Sequence, residues 1–154
     1  MKKLAAPFLV LALAVFLVAG CGSKSQNKAY AGSVASFAKV MNQICASATA
    51  KIKPLRPHTT SDLVKNGPQV QNILNHALDQ IGNLQPPDQI KSQVSDFVSK
   101  ERDAASKIGD LVSAAKAGDT AKIQQIGAQL TPEINAAHQD ARTIGAPACA
   151  KTNS

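Results

Sequence analysis

The sequence predicts an all-α protein that folds as an up-down-up-down, left-handed four-helix bundle. Aliphatic residues recur with a period near 3.5 in four successive stretches, and short connections that contain proline or glycine separate these stretches. Aromatic residues make up only 3% of the chain, and alanine is abundant, which favours helices packed through small and aliphatic side chains.

The chain begins with an uncharged apolar segment behind two lysines. Lys2 and Lys3 form a basic start, and the 17 residues from Leu4 to Gly20 carry no charge. This order is typical of a secretory signal peptide. A transmembrane anchor is the alternative, but the segment is at the lower limit of what crosses a hydrocarbon layer of ~30 Å, and Pro7 weakens it further.

The segment ends in Val18-Ala19-Gly20-Cys21, which resembles the lipobox of bacterial lipoproteins. The resemblance implies cleavage after Gly20, a diacylglyceryl thioether on Cys21 and often a further acyl chain, such as palmitate, on the new amino terminus. Two or more acyl chains hold a protein stably at a membrane, whereas one binds only marginally. We therefore predict lipidation at Cys21 and a location on the extracytoplasmic face of the cell membrane. A free secreted protein is the alternative.

The remaining chain divides into three predicted parts. Residues 1–20 form the signal peptide, so 154 less 20 residues leaves a mature chain of 134 residues, enough for one domain with a core of its own. Residues 21–28 are small and polar and predict a flexible, lipidated tether. The bundle is predicted over residues 29–149, followed by a C-terminal tail at 150–154.

The first two predicted helices have residues that recur at alternating steps of four and three positions, and we call the side of a helix that such residues form its seam. The seam of the first helix is Tyr30, Val34, Phe37, Met41, Ile44 and Ala48. Pro54 and Pro57 end this helix. The second starts behind an N-cap at Thr60 or Ser61, and its seam is Leu63, Gly67, Val70, Leu74, Ala77, Ile81 and Leu84. Pro68 predicts either a kink or the true start of this helix.

The third and fourth predicted helices follow a double proline, with Asp88 as the N-cap of the third. The seam of the third is Ile90, Val94, Phe97, Glu101, Ala104, Ile108, Leu111 and Ala115. Gly118 is expected to end it, and Asp119 or Thr120 to cap the fourth helix. The seam of the fourth is Ile123, Ile126, Leu130, Ile134, Ala137, Ala141 and Ile144. A kink is expected at Pro132.

Two cysteines remain once Cys21 is lipidated, Cys45 in the first helix and Cys149 near the C-terminus. An even pair in an exported chain predicts a disulfide, because the compartment is oxidising. A free buried thiol pair and an intermolecular bond between neighbouring lipoproteins are the alternatives. An intramolecular bond would tie the first helix to the C-terminus.

This pairing constrains the position of the first helix. In the predicted topology the fourth helix ends where the first begins, yet Cys45 lies about 22 Å from Tyr30 along the first helix. The cysteines meet only if the first helix is shifted toward the membrane end and residues 146–148 fold back along it. Residues 53–60 would then rise to the second helix as an extended segment, and the turns from Tyr30 to Phe37 would overhang the bundle.

Positive charge is concentrated near the lipid-attached end. Residues 21–67 carry seven basic residues and one acidic residue, a balance of +6, whereas residues 68–154 carry eight basic and nine acidic residues, a balance of −1. Lys24 and Lys28 are close enough to an anionic leaflet to gain up to about 1 kcal/mol each. Ordinary solvated charge is the alternative. Nucleic acid is not expected as a partner, because the basic residues do not alternate with aromatic ones and export removes the opportunity.

Three polar side chains beside the seams could converge on a metal ion, namely Glu101, His76 and His138. The di-iron pattern requires paired Glu-x-x-His sequences, whereas Glu133 and His138 are five positions apart. A rim position for Glu101 and a hydrogen-bonded core histidine are therefore favoured. We predict no cofactor, no metal site and no catalytic residue, since the sequence has no Gly-rich phosphate loop, Gly-x-Ser-x-Gly or His-Glu-x-x-His motif.

Several short sequences resemble a diffuse group of uncharacterised small helical lipoproteins familiar from actinobacteria. This resemblance rests on the lipobox, Ile44-Cys45, Leu84-Gln85-Pro86-Pro87, the Ala-Ala-Lys-Ala-Gly-Asp sequence at 114–119 and the Gly-Ala-Pro-Ala-Cys sequence at 145–149. It implies a helical bundle with two cysteines and supplies no activity.

The sequence as a whole predicts a non-catalytic, membrane-anchored lipoprotein that binds a partner protein or an envelope polymer, or an anionic lipid. A carrier that holds a small ligand or a metal in the bundle interior is the alternative.

Overall fold

Four α-helices pack against one another in the computed structural model, which describes residues 32–151. They are α1 (Val34–Ile52), α2 (Thr60–Gly82), α3 (Lys91–Ala117) and α4 (Thr120–Ile144). Short 3-10 turns lie at Lys53–Leu55, Asp88–Ile90 and Pro147–Ala150, and the described residues contain no strand. The predicted all-α four-helix bundle is confirmed. The predicted signal peptide, the sequence that resembles a lipobox and the predicted tether lie outside the described residues.

Among residues 32–151, no helix combines the length and the apolarity that crossing a membrane requires.

Local side-chain chemistry fixes most helix ends. Ser33 caps α1, and Asp119 caps α4 by accepting a hydrogen bond from the Lys122 backbone N–H at 2.9 Å. Gly118 ends α3 and Gly145 ends α4, both in the left-handed region with φ of 69° and 85°. The predictions of Gly118 and Asp119 are confirmed.

The start of α2 differs from the prediction by one residue. Its N-cap is Thr59, whose hydroxyl accepts a hydrogen bond from the Asp62 N–H at 3.1 Å. The Asp62 carboxylate in turn accepts from the Thr59 N–H at 3.0 Å, which completes a capping box. Thr60 and Ser61 were the predicted caps. Neither is followed three residues later by an acid or amide side chain, which could accept a hydrogen bond from the backbone N–H of the cap residue.

Two further predictions of helix starts are corrected. Helix α2 runs through Pro68, which is exposed, so the alternative start at Pro68 is wrong. Gly67 just before it is buried, and a Cβ there would overlap Val112 Cγ2, so glycine permits the close approach of α2 and α3. Asp88 opens a 3-10 turn, and α3 begins only at Lys91 without a side-chain cap.

The core of the bundle is concentrated at one end. We call this the lower end, where α1 and α3 begin and α2 and α4 finish; the opposite, upper end holds the turn between α3 and α4. The buried cluster at the lower end consists of Phe37, Met41, Leu78, Ile81, Leu84, Ile90, Val94, Phe97, Ala137, Ala141, Ile144 and Ala146. All four helices contribute to it, as the four predicted seams require.

The upper end is built from only three helices. The Asn66 side-chain amide donates to the Leu55 carbonyl at 3.1 Å, so the chain leaves α1 level with the second turn of α2. Above this level α2, α3 and α4 continue alone. Seam residue Leu111, predicted to lie in the core, is close to this level and only half-buried. Leu74, also predicted to lie in the core, is half-buried although it lies about two turns further down α2, where α1 still flanks that helix.

The offset of α1 is smaller than predicted. Phe37 has 0% exposure, so the overhang predicted for its turn is wrong, and Tyr30 lies outside the described residues. The connection to α2 starts as a 3-10 turn at Lys53–Leu55, and only then do Arg56 and Thr59 adopt extended backbone angles. The connection has to cover only a short distance along the bundle to reach the start of α2, because α1 already ends beside Asn66.

The position of the core predicts how substitutions affect stability. Phe37→Ala should lower the free energy of unfolding by about 3–5 kcal/mol, because it empties a fully enclosed site at the lower end. Leu111→Ala, at the half-buried upper end, should cost only about 1–2 kcal/mol. Urea denaturation of the mature chain carrying Cys21→Ser measures both. Losses of equal size would contradict this placement of the core.

Candidate functional site

The C-terminal segment folds back onto α1. Cys45 and Cys149 lie at disulfide distance, with their sulfur atoms 2.00 Å and their Cα atoms 5.0 Å apart, although they are 104 positions apart in sequence. Cys45 is in the twelfth position of the 19-residue α1, so the segment reaches more than halfway along that helix. The predicted tie between the first helix and the C-terminus is confirmed.

Asn42 reinforces this tie, one helical turn before Cys45. Its side-chain Nδ2 donates to the Gly145 carbonyl at 3.1 Å, and its Oδ1 accepts from the Ala148 N–H at 2.7 Å. One amide side chain thus satisfies a carbonyl left free at the end of α4 and an N–H of the segment that follows. The role of Asn42 could not be predicted from the sequence, because its partners are more than a hundred residues away.

An open groove of about 990 Å³ runs between α1 and the segment that follows α4. Small and aliphatic side chains form most of its wall, including Val34, Ala38 and Ile144. Lys39 is the one charged residue among the lining residues, and no acidic residue lines the groove. The site is therefore apolar with a single positive charge at its edge.

Positive charge on and just after α1 is not compensated by ion pairs. Lys39, Lys51 and Lys53 are exposed, and Arg56 is half-buried. The ion pairs of the described residues lie elsewhere: Lys100 with Asp140 at 2.6 Å, Arg102 with Asp79 at 2.9 Å, and Lys107 with Glu133. These pairs join α3 to its two neighbours and leave the α1 cations unpaired.

Glu101 occupies its predicted seam position and is half-buried. Desolvation raises the pKa of its carboxyl to about 7, because burial disfavours the charged form. Within the described residues no side chain or backbone group donates a hydrogen bond to it. No side-chain oxygen that is fully buried within residues 32–151 lacks a hydrogen-bond partner, so the half-buried Glu101 keeps part of its carboxylate in contact with solvent, which is compatible with the predicted rim position.

The two histidines are in different environments. His138 is 8% exposed, and burial, together with the positive charge of Arg142, lowers the pKa of its imidazole. It lies in the core as predicted, but without the predicted hydrogen bond among the described residues. His76 is exposed and lines a separate groove between α1 and α2 that also contains Lys51.

The structure does not bring Glu101, His76 and His138 together. No group of three or more histidine, cysteine, aspartate or glutamate side chains within residues 32–151 is placed to hold a metal ion. Of the residues singled out in the sequence, Cys45 and Cys149 meet, and Cys21 lies outside the described residues.

These features define an all-helical bundle whose C-terminal segment is fastened to its first helix beside an apolar groove. Comparisons of the chain with protein-family models, with curated proteins and with solved structures find no match. Function is therefore inferred from the sequence, the fold and the site.

The intramolecular disulfide leads to a first prediction for this site. Non-reducing mass spectrometry of the mature chain carrying Cys21→Ser should identify a peptide that joins Cys45 to Cys149 within a monomer. Reduction should lower the free energy of unfolding by up to ~4–5 kcal/mol in the chain-entropy treatment of a loop of this length. Hydrogen exchange should then accelerate first in α1 and in the C-terminal segment. Free thiols or a covalent dimer would contradict the pairing.

Glu101 leads to a second prediction, on pH dependence. Its pKa rises from the ordinary value of 4.5 to about 7 in the folded protein, so its stabilising contribution is complete below pH 4.5 and is lost as the pH rises through 7. Glu101→Gln removes this loss.

The free energy of unfolding of Glu101→Gln relative to wild type should therefore increase by about 1–3 kcal/mol between pH 5 and pH 8. Urea denaturation at both pH values measures this difference. Both proteins retain His138, so its titration cancels in the comparison. A difference that stays constant with pH would contradict the assignment.

Proposed function

We propose that this protein is a non-catalytic lipoprotein, anchored through Cys21 on the extracytoplasmic face of the cell membrane, whose bundle binds a partner protein or an envelope polymer. The single observation that supports it most is the Cys45–Cys149 pair at disulfide distance. Disulfides persist in oxidising compartments and are rare in the cytosol. The pair therefore agrees with the export that residues 1–20 predict.

The entry of the chain into the bundle suits an anchored protein. Helix α1 begins at Val34, and the 12 residues at 22–33 separate it from Cys21. Such a segment reaches at most about 40 Å when extended. The lower end of the bundle is thus the end joined to the tether.

The charge of α1 favours an anionic partner. Its lysines have no ion-pair partner within residues 32–151, whereas the ion pairs of α3 join it to α2 and α4. Anionic envelope polymers, anionic lipids and acidic protein surfaces share the chemistry that these lysines would recognise.

A carrier that uses the bundle interior has less support. The side chains that could have formed a metal site, Glu101, His76 and His138, do not converge within the described residues. The lower core is filled by large side chains such as Phe37 and Met41, which have 0% exposure. The concavities described above are grooves at the surface, beside α1.

Lipid anchoring can be tested by metabolic labelling with a fatty-acid probe in the bacterial host. The wild-type protein should incorporate the probe, and Cys21→Ala should abolish labelling and leave an unprocessed precursor, because the thioether cannot form. The double variant Cys45→Ala/Cys149→Ala is the matched control and should be labelled like wild type. A labelled Cys21→Ala protein would overturn the proposal.

A further inference from the structure

We propose that α1 is the surface with which the bundle docks on an anionic membrane leaflet. The docking surface is a strip of six exposed residues that follow one side of the helix: Ala35, Lys39, Gln43, Ala46, Ala50 and Lys53. The proposal rests on the proposed function only in that it takes the membrane holding Cys21 as the surface concerned.

The spacing of these residues makes the strip continuous. Steps of three or four residues return to the same side of an α-helix, so positions 35 to 53 form one line about 27 Å long. Every residue of the line is exposed, and α1 packs with its other sides on α2 and on the C-terminal segment. The strip is therefore open to solvent along its whole length, and four of its residues, Ala35, Lys39, Gln43 and Ala46, also form one wall of the groove beside the C-terminal segment.

The charge of the strip complements an anionic surface. Lys39 and Lys53 lie toward its two ends, and neither has an ion-pair partner in the part of the chain that the structure describes. No acidic residue occurs in the described chain before Asp62. The Asp62 carboxylate already accepts hydrogen bonds from the backbone N–H groups of His58 and Thr59. Lysines close to an anionic leaflet each strengthen binding by about five-fold.

The place where the chain leaves the bundle favours a membrane over a soluble anion. Helix α1 is the element that the tether joins directly, and the tether itself carries Lys24 and Lys28. Anchoring at Cys21 would hold this helix within about 40 Å of the leaflet. The other residues of the strip are small or polar, so binding should depend on charge and not on apolar insertion.

Vesicle co-sedimentation tests this docking surface without the lipid anchor. The protein is the mature chain with Cys21→Ser, and the probes are vesicles of phosphatidylcholine with or without phosphatidylglycerol. We expect binding only to the vesicles that contain phosphatidylglycerol, and release at high salt. Lys39→Glu/Lys53→Glu should weaken this binding by about ten-fold or more, because it reverses both charges of the strip.

The matched control is Lys116→Glu/Lys122→Glu, which makes the same change of charge at exposed positions of the upper end. It should reduce binding by less than about two-fold, since these side chains lie far from the docked helix. Circular dichroism and thermal unfolding confirm that both variants fold.

Equal losses in the two double variants would overturn the proposal, because net charge alone would then explain binding. Binding to pure phosphatidylcholine at the same level would overturn it, as would an absence of binding to both kinds of vesicle. Self-association through the strip, seen by sedimentation equilibrium and abolished by Lys39→Glu/Lys53→Glu, would assign the surface to a second copy instead. The outcome does not depend on acylation, so it is distinguishable from failure of the labelling experiment on Cys21.

Discussion

The attachment of the C-terminal segment to α1 determines how the lower half of the bundle closes. Helix α3 packs against both α2 and α4, whereas α1 packs chiefly against α2 and the segment that follows α4. The Cys45–Cys149 pair and the two hydrogen bonds of Asn42 hold that segment in place. The same stretch of α1 buries Phe37 and Met41, so the position of two fully enclosed core side chains depends on this attachment.

The sequence predicted the features that depend on local chemistry. Gly118 adopts the left-handed conformation that ends α3, and the carboxylate of Asp119 caps α4. Both roles depend on neighbouring residues in the sequence and not on distant contacts. The heptad pattern predicted which side of each helix faces inward, but it contains no information on the level at which helices meet. Leu111 consequently proved half-buried, because it lies close to the level at which α1 ends. Leu74 is also half-buried, although α1 still flanks α2 at its level.

The site was predictable to a similar extent. The cysteine pair followed from compartment chemistry, and the seam position of Glu101 indicated that burial would be costly. Asn42 and the groove beside it arise from packing between segments more than a hundred residues apart, which no local pattern records. Lipidation of Cys21 rests on the lipobox, and that residue lies outside the described part of the chain.

The covalent link also determines how the molecule would transmit mechanical tension. A pull between the two ends of the chain passes along it to Cys45, crosses to Cys149 and leaves through the last few residues. The 104-position stretch between the two cysteines bears none of this load while the bond is intact. Helices α2, α3 and α4 are thereby shielded, and such a pull can extend only the part of the chain before Cys45 and the part after Cys149.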